Sequence, residues 1–221
     1  MKRKFVIAHN VYFTLPFLAW VVAGGWYIHK LGRQALFQLI NNNYSPFGDD
    51  AMRVVTHLGE AAVIVPLLFT LFAFGRLRNV QYLVSGLVCN ILPFILQQLM
   101  KSLLSQPRPM AFYDNPDWSI RFLPEWDRFT ARSNPSGHSV GAFSLFCFLS
   151  LLLPAKYRAY GFIFFLLAFL VGYSRVYLAA HFFEDVYFGG IFGFITTTLL
   201  YSLLMKFNLT PHQSISTSGN S

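Results

Sequence analysis

Six stretches of this chain are almost wholly apolar, and each approaches the ~20 residues that a helix needs to cross the hydrocarbon of a bilayer. They cover residues 11–28, 58–74, 80–100, 139–154, 160–178 and 186–207. Lipid offers no partner to an unpaired backbone N–H or C=O, so runs of this kind must fold as helices. The expected class is therefore all-α, a six-transmembrane-helix bundle forming one membrane-embedded domain over residues 1–207. The second and fourth runs are short and must borrow flanking residues. Pro93, one turn beyond Asn90, is expected to kink the third, either as a packing feature or as a gate.

Charge usage agrees with a membrane. Only 12% of the residues are charged and 55% are hydrophobic, where soluble domains carry about 25% charged residues. The net charge of +8 could suit nucleic acid, but no basic run with polar spacing occurs. The Lys and Arg residues instead sit at the ends of apolar runs, as they do beside a bilayer. Met1–Lys4 followed by an apolar run resembles a signal peptide. No small-residue cleavage site follows and five further runs do, so it reads as a retained first span. Cys89 and Cys147 each lie inside an apolar run and read as buried free thiols. No zinc-type spacing appears, and no metal or other cofactor is expected.

Six spans put both termini on one side. That side holds Lys2, Arg3, Lys4, Arg76, Arg78, Lys156, Arg158 and Lys206 and no acid, while the other holds the remaining nine Lys/Arg and all nine Asp/Glu. Eight against nine becomes eight against six once Lys101, Arg108 and Arg175 are set aside as site residues. The positive-inside rule then makes the termini cytoplasmic. Two outer segments have character of their own. Leu31, Ala35, Leu36 and Leu39 fall at helical spacing, which predicts a short interfacial helix over 31–40. The loop 101–135 between spans three and four carries Phe112, Tyr113, Trp118, Phe122 and Trp126 among charges. It is expected to act as an interfacial anchor or as a lid over a lipid. The tail 208–221 is Ser/Thr-rich and is expected to be disordered. Its Asn208-Leu-Thr210 sequon is inert if that side is cytoplasmic.

Three short segments interrupt the apolar pattern with chemistry. His181 and Asp185 are four apart, the spacing that puts two side chains on one helical face. The Asp can then hold one imidazole nitrogen and leave the other free as nucleophile or base. Ser133-Asn-Pro-Ser136-Gly137-His138 immediately precedes a span. Asn134 or Ser133 is expected to cap that helix with Pro135 in its first turn. The free N–H groups at such a start bind phosphate oxygens, Gly137 lets the backbone come close, and Ser136 adds a hydroxyl. His138 then lies beside the same phosphate, able to protonate a leaving oxygen. Lys101, Arg108 and Arg175 complete the set as cations. Arg175 and His181, six apart, point away from each other on one unbroken helix, so the chain must turn between them if both serve one site.

Read together, Lys101-x6-Arg108-Pro109, Pro135-Ser136-Gly137-His138 and Ser174-Arg175-x5-His181-x3-Asp185 resemble the three-part signature of the type 2 phosphatidic acid phosphatase (PAP2) superfamily, with no motif position departing from it. The resemblance covers residues 101–185 by motif and nearly the whole chain by layout. It implies a metal-independent lipid phosphatase. His181 would attack phosphorus and form a phosphohistidine, Asp185 would orient it, and His138 would protonate the leaving oxygen. Lys101, Arg108, Ser136, Gly137 and Arg175 would hold the phosphate oxygens. It also implies a phosphorylated membrane lipid as substrate, such as a polyprenyl (undecaprenyl) diphosphate or a phosphatidate. The setting would be a bacterial inner membrane with the site at its outer face, and no obligate protein partner. A lipid-donor phosphotransferase on the same site, or a non-catalytic anionic-lipid transporter, are the alternatives. Six spans argue against the haloperoxidase chemistry of soluble proteins that share the motif.

Overall fold

The structure is a computed structural model that describes residues 7–74, 80–123 and 129–207. Lys2, Arg3, Lys4, Arg76, Arg78, Trp126 and the tail with its sequon lie outside the described residues. Among the described residues seven α-helices follow one another: α1 (Val11–Asn41), α2 (Pro46–Thr56), α3 (Ala61–Phe74), α4 (Val80–Leu104), α5 (Gly137–Leu152), α6 (Gly161–Tyr177) and α7 (Phe183–Phe207). The all-α class is as expected, but six full-length spans are not what the helices provide. Among the described residues four helices are long and apolar enough to cross a membrane: α1, α4, α6 and α7, or five if the bent pair α2 and α3 counts as one broken span. α5 has 16 residues, a length of ~24 Å at ~1.5 Å per residue, which falls short of a ~30 Å hydrocarbon layer.

α5 is apolar on every side, the signature of a helix surrounded by others. Val140, Ala142, Phe143 and Phe148 are all fully buried, and α4, α6 and α7 pack around it. The α5–α7 seam is built on glycines. A Cβ at Gly189 would lie 2.9 Å from the Ser136 carbonyl, and one at Gly193 would lie 2.7 Å from the Val140 carbonyl. Only the bare backbone lets the two helices approach this closely, as in small-residue contacts between membrane helices. α1 closes the other side with aromatics. Phe17 stacks on Phe194 at 4.1 Å and Trp20 on Phe143 at 5.1 Å between ring centroids. Its opposite face exposes Leu15, Leu18 and Val22, as a lipid-facing surface does. Hydrogen bonds join α4 to α7, where the Thr197 hydroxyl donates to the Cys89 carbonyl at 3.0 Å. Cys89 and Cys147 are buried free thiols, as expected. Pro93 lies within an α4 that continues to Leu104.

The expected helix over 31–40 is present but is not separate. It continues α1 past a single break at Gly32, whose φ of 71° suits glycine. Beyond the break, Arg33 pairs with Glu184 at 2.5 Å and lies over the Phe182 ring. α2 was not legible as a helix in the apolar pattern. Ser45 caps it by accepting from the Gly48 amide at 3.0 Å, and Pro46 opens it. A single tight turn, His57–Gly59, then leads into α3 through a 58° bend.

The long loop after α4 is pinned at its base. The Arg108 amide donates to the Thr130 carbonyl at 2.9 Å, and the Ser133 amide to the Gln106 carbonyl at 2.9 Å. Its aromatics turn inward: Phe112 stacks on Trp118 at 4.7 Å, and both meet Phe182 edge-on.

Candidate active site

The three sequence segments converge where α4, α5, α6 and α7 bring their ends together. α6 stops at Tyr177, and the chain reverses through Ala179, whose φ is +56°. The Arg175 carbonyl receives two amides across this reversal, from Ala180 at 2.9 Å and from His181 at 3.0 Å. The required turn between Arg175 and His181 is thus made by one wrapped helix end.

His181 and Asp185 do not share a helix, contrary to the sequence argument. His181 precedes α7 and Asp185 lies in its first turn. Asp185 Oδ2 accepts from the Phe182 amide at 2.9 Å, the return half of a capping arrangement. It also accepts from the Ser133 hydroxyl. His181 Nδ1 lies 3.5 Å from that same oxygen and 3.4 Å from Ser133 Oγ. Ser133, read from sequence only as a possible cap, therefore flanks the pair, bonded to the carboxylate and near the imidazole. His181 is 1% exposed and Asp185 fully buried. Burial, and then the charges of Arg108, Arg175 and Lys101, push the His181 imidazole well below its ordinary value of 6.5. It stands neutral at neutral pH, the form that can attack.

The cap of α5 is Ser136, not Asn134 or Ser133. Its hydroxyl accepts from the Ser139 amide at 3.5 Å, and helix begins at Gly137. The Gly137 and His138 amides have no carbonyl one turn earlier to bond, which leaves two donors at the helix start. The Ser136 amide donates to the Asp185 carbonyl at 3.0 Å and so ties this start to α7. From α4, buried Gln97 donates to the Pro135 carbonyl at 2.8 Å and fixes the approach to the turn. Sequence reasoning did not find Gln97, although it lies one turn before Lys101 on the same face.

The cations surround this pair of helix starts. Arg108 is held by its guanidinium, with Nε donating to the Ala131 carbonyl at 3.0 Å and Nη1 to the Ala180 carbonyl at 3.2 Å. Arg175 Nη1 donates to the Thr56 hydroxyl at 2.7 Å, so α2 supports a site residue that lies far from it in sequence. Lys101, half-buried in the last turn of α4, is close enough to Arg108, Asp185 and Arg175 to feel the charge of each. His138 faces Glu60 across 3.6 Å. All eight sequence-predicted residues thus belong to one region. Ser133, Thr56, Gln97 and Glu60 are additions, each a lone polar residue without spacing to mark it. The arrangement offers a buried neutral imidazole, a second imidazole, two free amides and three fixed cations, a set suited to a tetrahedral oxyanion.

Comparison with known proteins agrees with this geometry. Residues 80–209 match the PAP2 superfamily. An undecaprenyl-diphosphatase of Sulfolobus acidocaldarius is 30% identical over 158 residues, 72% of this chain and 71% of that protein. Among solved structures, that of Aquifex aeolicus LpxE superposes with a TM-score of 0.64 at 31% identity, covering 76% of this chain and 93% of that one. That of the PAP2-type phosphatidylglycerolphosphate phosphatase of Bacillus subtilis gives 0.61 at 26% identity, covering 90% and 100%.

Proposed function

The chain belongs to the PAP2 superfamily and is a multi-pass membrane lipid phosphatase, and from that premise we propose how its site works and on what. The observation that carries the proposal is the placing of neutral His181 beside Ser133 and Asp185, within reach of Lys101, Arg108 and Arg175. His181 attacks phosphorus through the nitrogen that Asp185 does not face. The P–O bond to the lipid breaks, a P–N bond forms, and His138 gives its proton to the leaving oxygen. His138 then takes a proton from water as the hydroxide oxygen displaces the histidine, and inorganic phosphate leaves. Lys101, Arg108, Arg175, the Ser136 hydroxyl and the Gly137 amide hold the phosphoryl oxygens throughout, where preorganised donors supply the largest share of the rate. The chemistry needs no metal, because these fixed cations meet the charge.

The substrate is a phosphorylated membrane lipid, either a polyprenyl diphosphate or a glycerophospholipid monophosphate. The Sulfolobus relative is named for the first and the Bacillus structure for the second. A buried site at the ends of apolar helices suits an amphiphile that keeps its tail in the bilayer. α2 with α3 forms one broken span and α5 a short one, which gives six crossings with the termini cytoplasmic and the site at the outer face. A cysteine-accessibility map that places the 101–135 loop in the cytoplasm would overturn that orientation.

The deciding experiment is phosphate release by purified protein from undecaprenyl diphosphate, phosphatidylglycerol phosphate and phosphatidate, each with and without EDTA. Release that survives EDTA, together with radiolabelled phosphate trapped on His181, is the expected result. No release from any of the three would end the proposal.

A further inference from the structure

The 58° bend between α2 and α3 falls at residue 60 and delivers a carboxylate to the site. Glu60 is fixed there by its backbone. Its amide donates to the His57 carbonyl at 3.0 Å, and its own carbonyl accepts from Val63 and Ile64 to start α3. The preceding residue has no room for a side chain, since a Cβ at Gly59 would lie 2.9 Å from the His138 carbonyl and 2.7 Å from Val171 Cγ1. This contact brings the turn against the first residues of α5. Glu60 Oε1 then lies 3.6 Å from His138 Nε2 and 3.0 Å from His57 Nδ1. His138 Nε2 is buried and has no hydrogen-bond partner among the described residues.

His138 has to carry a proton to serve as an acid, in a site rich in positive charge. Arg175 from α6, His181 from the reversal, Lys101 from α4 and Arg108 from the loop all face it. On the other side stand Glu60 and, behind it, exposed His57. Three other acids at this end are engaged: Asp185 with Ser133 and Phe182, Glu184 with Arg33, and Asp49 with Arg121 and Tyr177.

We propose that Glu60 is the positioning residue for the general acid, a carboxylate that closes on His138 Nε2, orients the ring and holds its protonated form until the leaving oxygen takes the proton. His138 loses one proton when the lipid oxygen leaves and regains one when water attacks, so Glu60 is unchanged over a cycle.

The proposal rests on the phosphatase reading, and the test separates the two. The full chain in detergent, as wild type and as Glu60→Gln, is assayed for kcat/KM from about pH 5 to about pH 9. One substrate is a lipid monophosphate, whose alkoxide needs a proton to leave; the other is para-nitrophenyl phosphate, whose phenolate does not. Loss of general-acid help is worth about 100-fold. Glu60→Gln should therefore lose about that on the lipid at alkaline pH, and no more than about threefold on the aryl phosphate. Its alkaline limb should move to lower pH, because an imidazolium without its counter-charge gives up its proton sooner. Glu60→Asp should recover part of the loss. Equal loss on both substrates with an unmoved limb would make Glu60 structural and overturn the inference, as would wild-type behaviour of Glu60→Gln. A wild type inactive on both substrates would instead refute the phosphatase reading and the inference with it.

Discussion

The Ser136 amide donates to the Asp185 carbonyl at 3.0 Å, and this one bond joins the start of α5 to the start of α7. Each helix start carries part of the proposed site: Ser136, Gly137 and His138 on one, Asp185 on the other. The bond is possible because Gly189, one turn beyond Asp185, leaves space for the Ser136 backbone. Gly189→Ala puts a Cβ 2.9 Å from a carbonyl that cannot move without moving the site. Overpacking of this kind costs about 1–3 kcal/mol. The expected outcome is a lower unfolding temperature in detergent together with a fall in kcat, and unchanged values of both would refute the seam.

His181→Ala should reduce phosphate release to background, as should His138→Ala, with helical circular dichroism retained in each. Asp185→Asn should cost about 10⁴-fold in kcat if its role is to fix the tautomer, by analogy with the triad carboxylate of serine proteases. Full activity in either histidine variant would sink the assigned mechanism.

Ser133 donates to the carboxylate that the imidazole also faces, so its removal leaves Asp185 Oδ2 short of a donor in a buried place. Ser133→Ala should lower kcat about tenfold, equivalent to about 1.4 kcal/mol, with KM nearly unchanged because no phosphate contact is lost. A rise in KM with kcat intact would place Ser133 on the substrate instead.

The depressed His181 value has a signed consequence for pH. A nucleophile works only when unprotonated, and its proton is lost at a lower pH than for a free imidazole at 6.5. The acid limb of kcat/KM, which reports the free enzyme, should therefore lie below pH 6.5. Stability follows the same sign. The unfolded chain takes up a proton near its ordinary value while the folded chain resists, so stability is lost as pH falls below that value. An acid limb at or above the ordinary value would contradict the burial of His181.

Thr56 reaches the site through Arg175. Thr56→Val removes the acceptor from one N–H of a charged group, a bond worth about 1.5–3 kcal/mol. We expect kcat/KM to fall at least about tenfold, with most of the change in KM for the phosphorylated lipid.

Much of this was legible because membrane helices and gapped motifs write themselves in long patterns. The apolar runs marked α1, α3, α4, α5, α6 and α7 as helices, though not all as full spans, and three spaced segments marked His181, His138, Asp185 and the cations that the fold brings into one region. The short elements were harder. α2 exposes Phe47 and Val54 and buries Thr56, so it has no apolar run; Ser45-Pro46 with Asp49 in its first turn was the available signal. His181 and Asp185 satisfied the four-residue spacing without sharing a helix, because a helix that begins between them gives the same proximity. Ser133, Gln97, Thr56 and Glu60 act through tertiary contacts, and single polar residues carry no period by which a sequence can announce them.

The stem of the long loop has a consequence for how such a protein can be altered. Arg108 and Ser133 are fixed by the paired backbone bonds to Thr130 and Gln106, so the loop is clasped at its stem. Lengthening a closed loop costs slowly, about 0.6 kcal/mol per doubling, and the clasp shields the phosphate end from whatever is inserted. An exchange of 110–129 must still keep its inward anchors, Phe112 and Trp118 on Phe182 and Arg121 on Asn41 and Asp49. Grafting the segment between relatives should transfer headgroup preference while the catalytic rate constant for a minimal phosphate ester stays with the recipient.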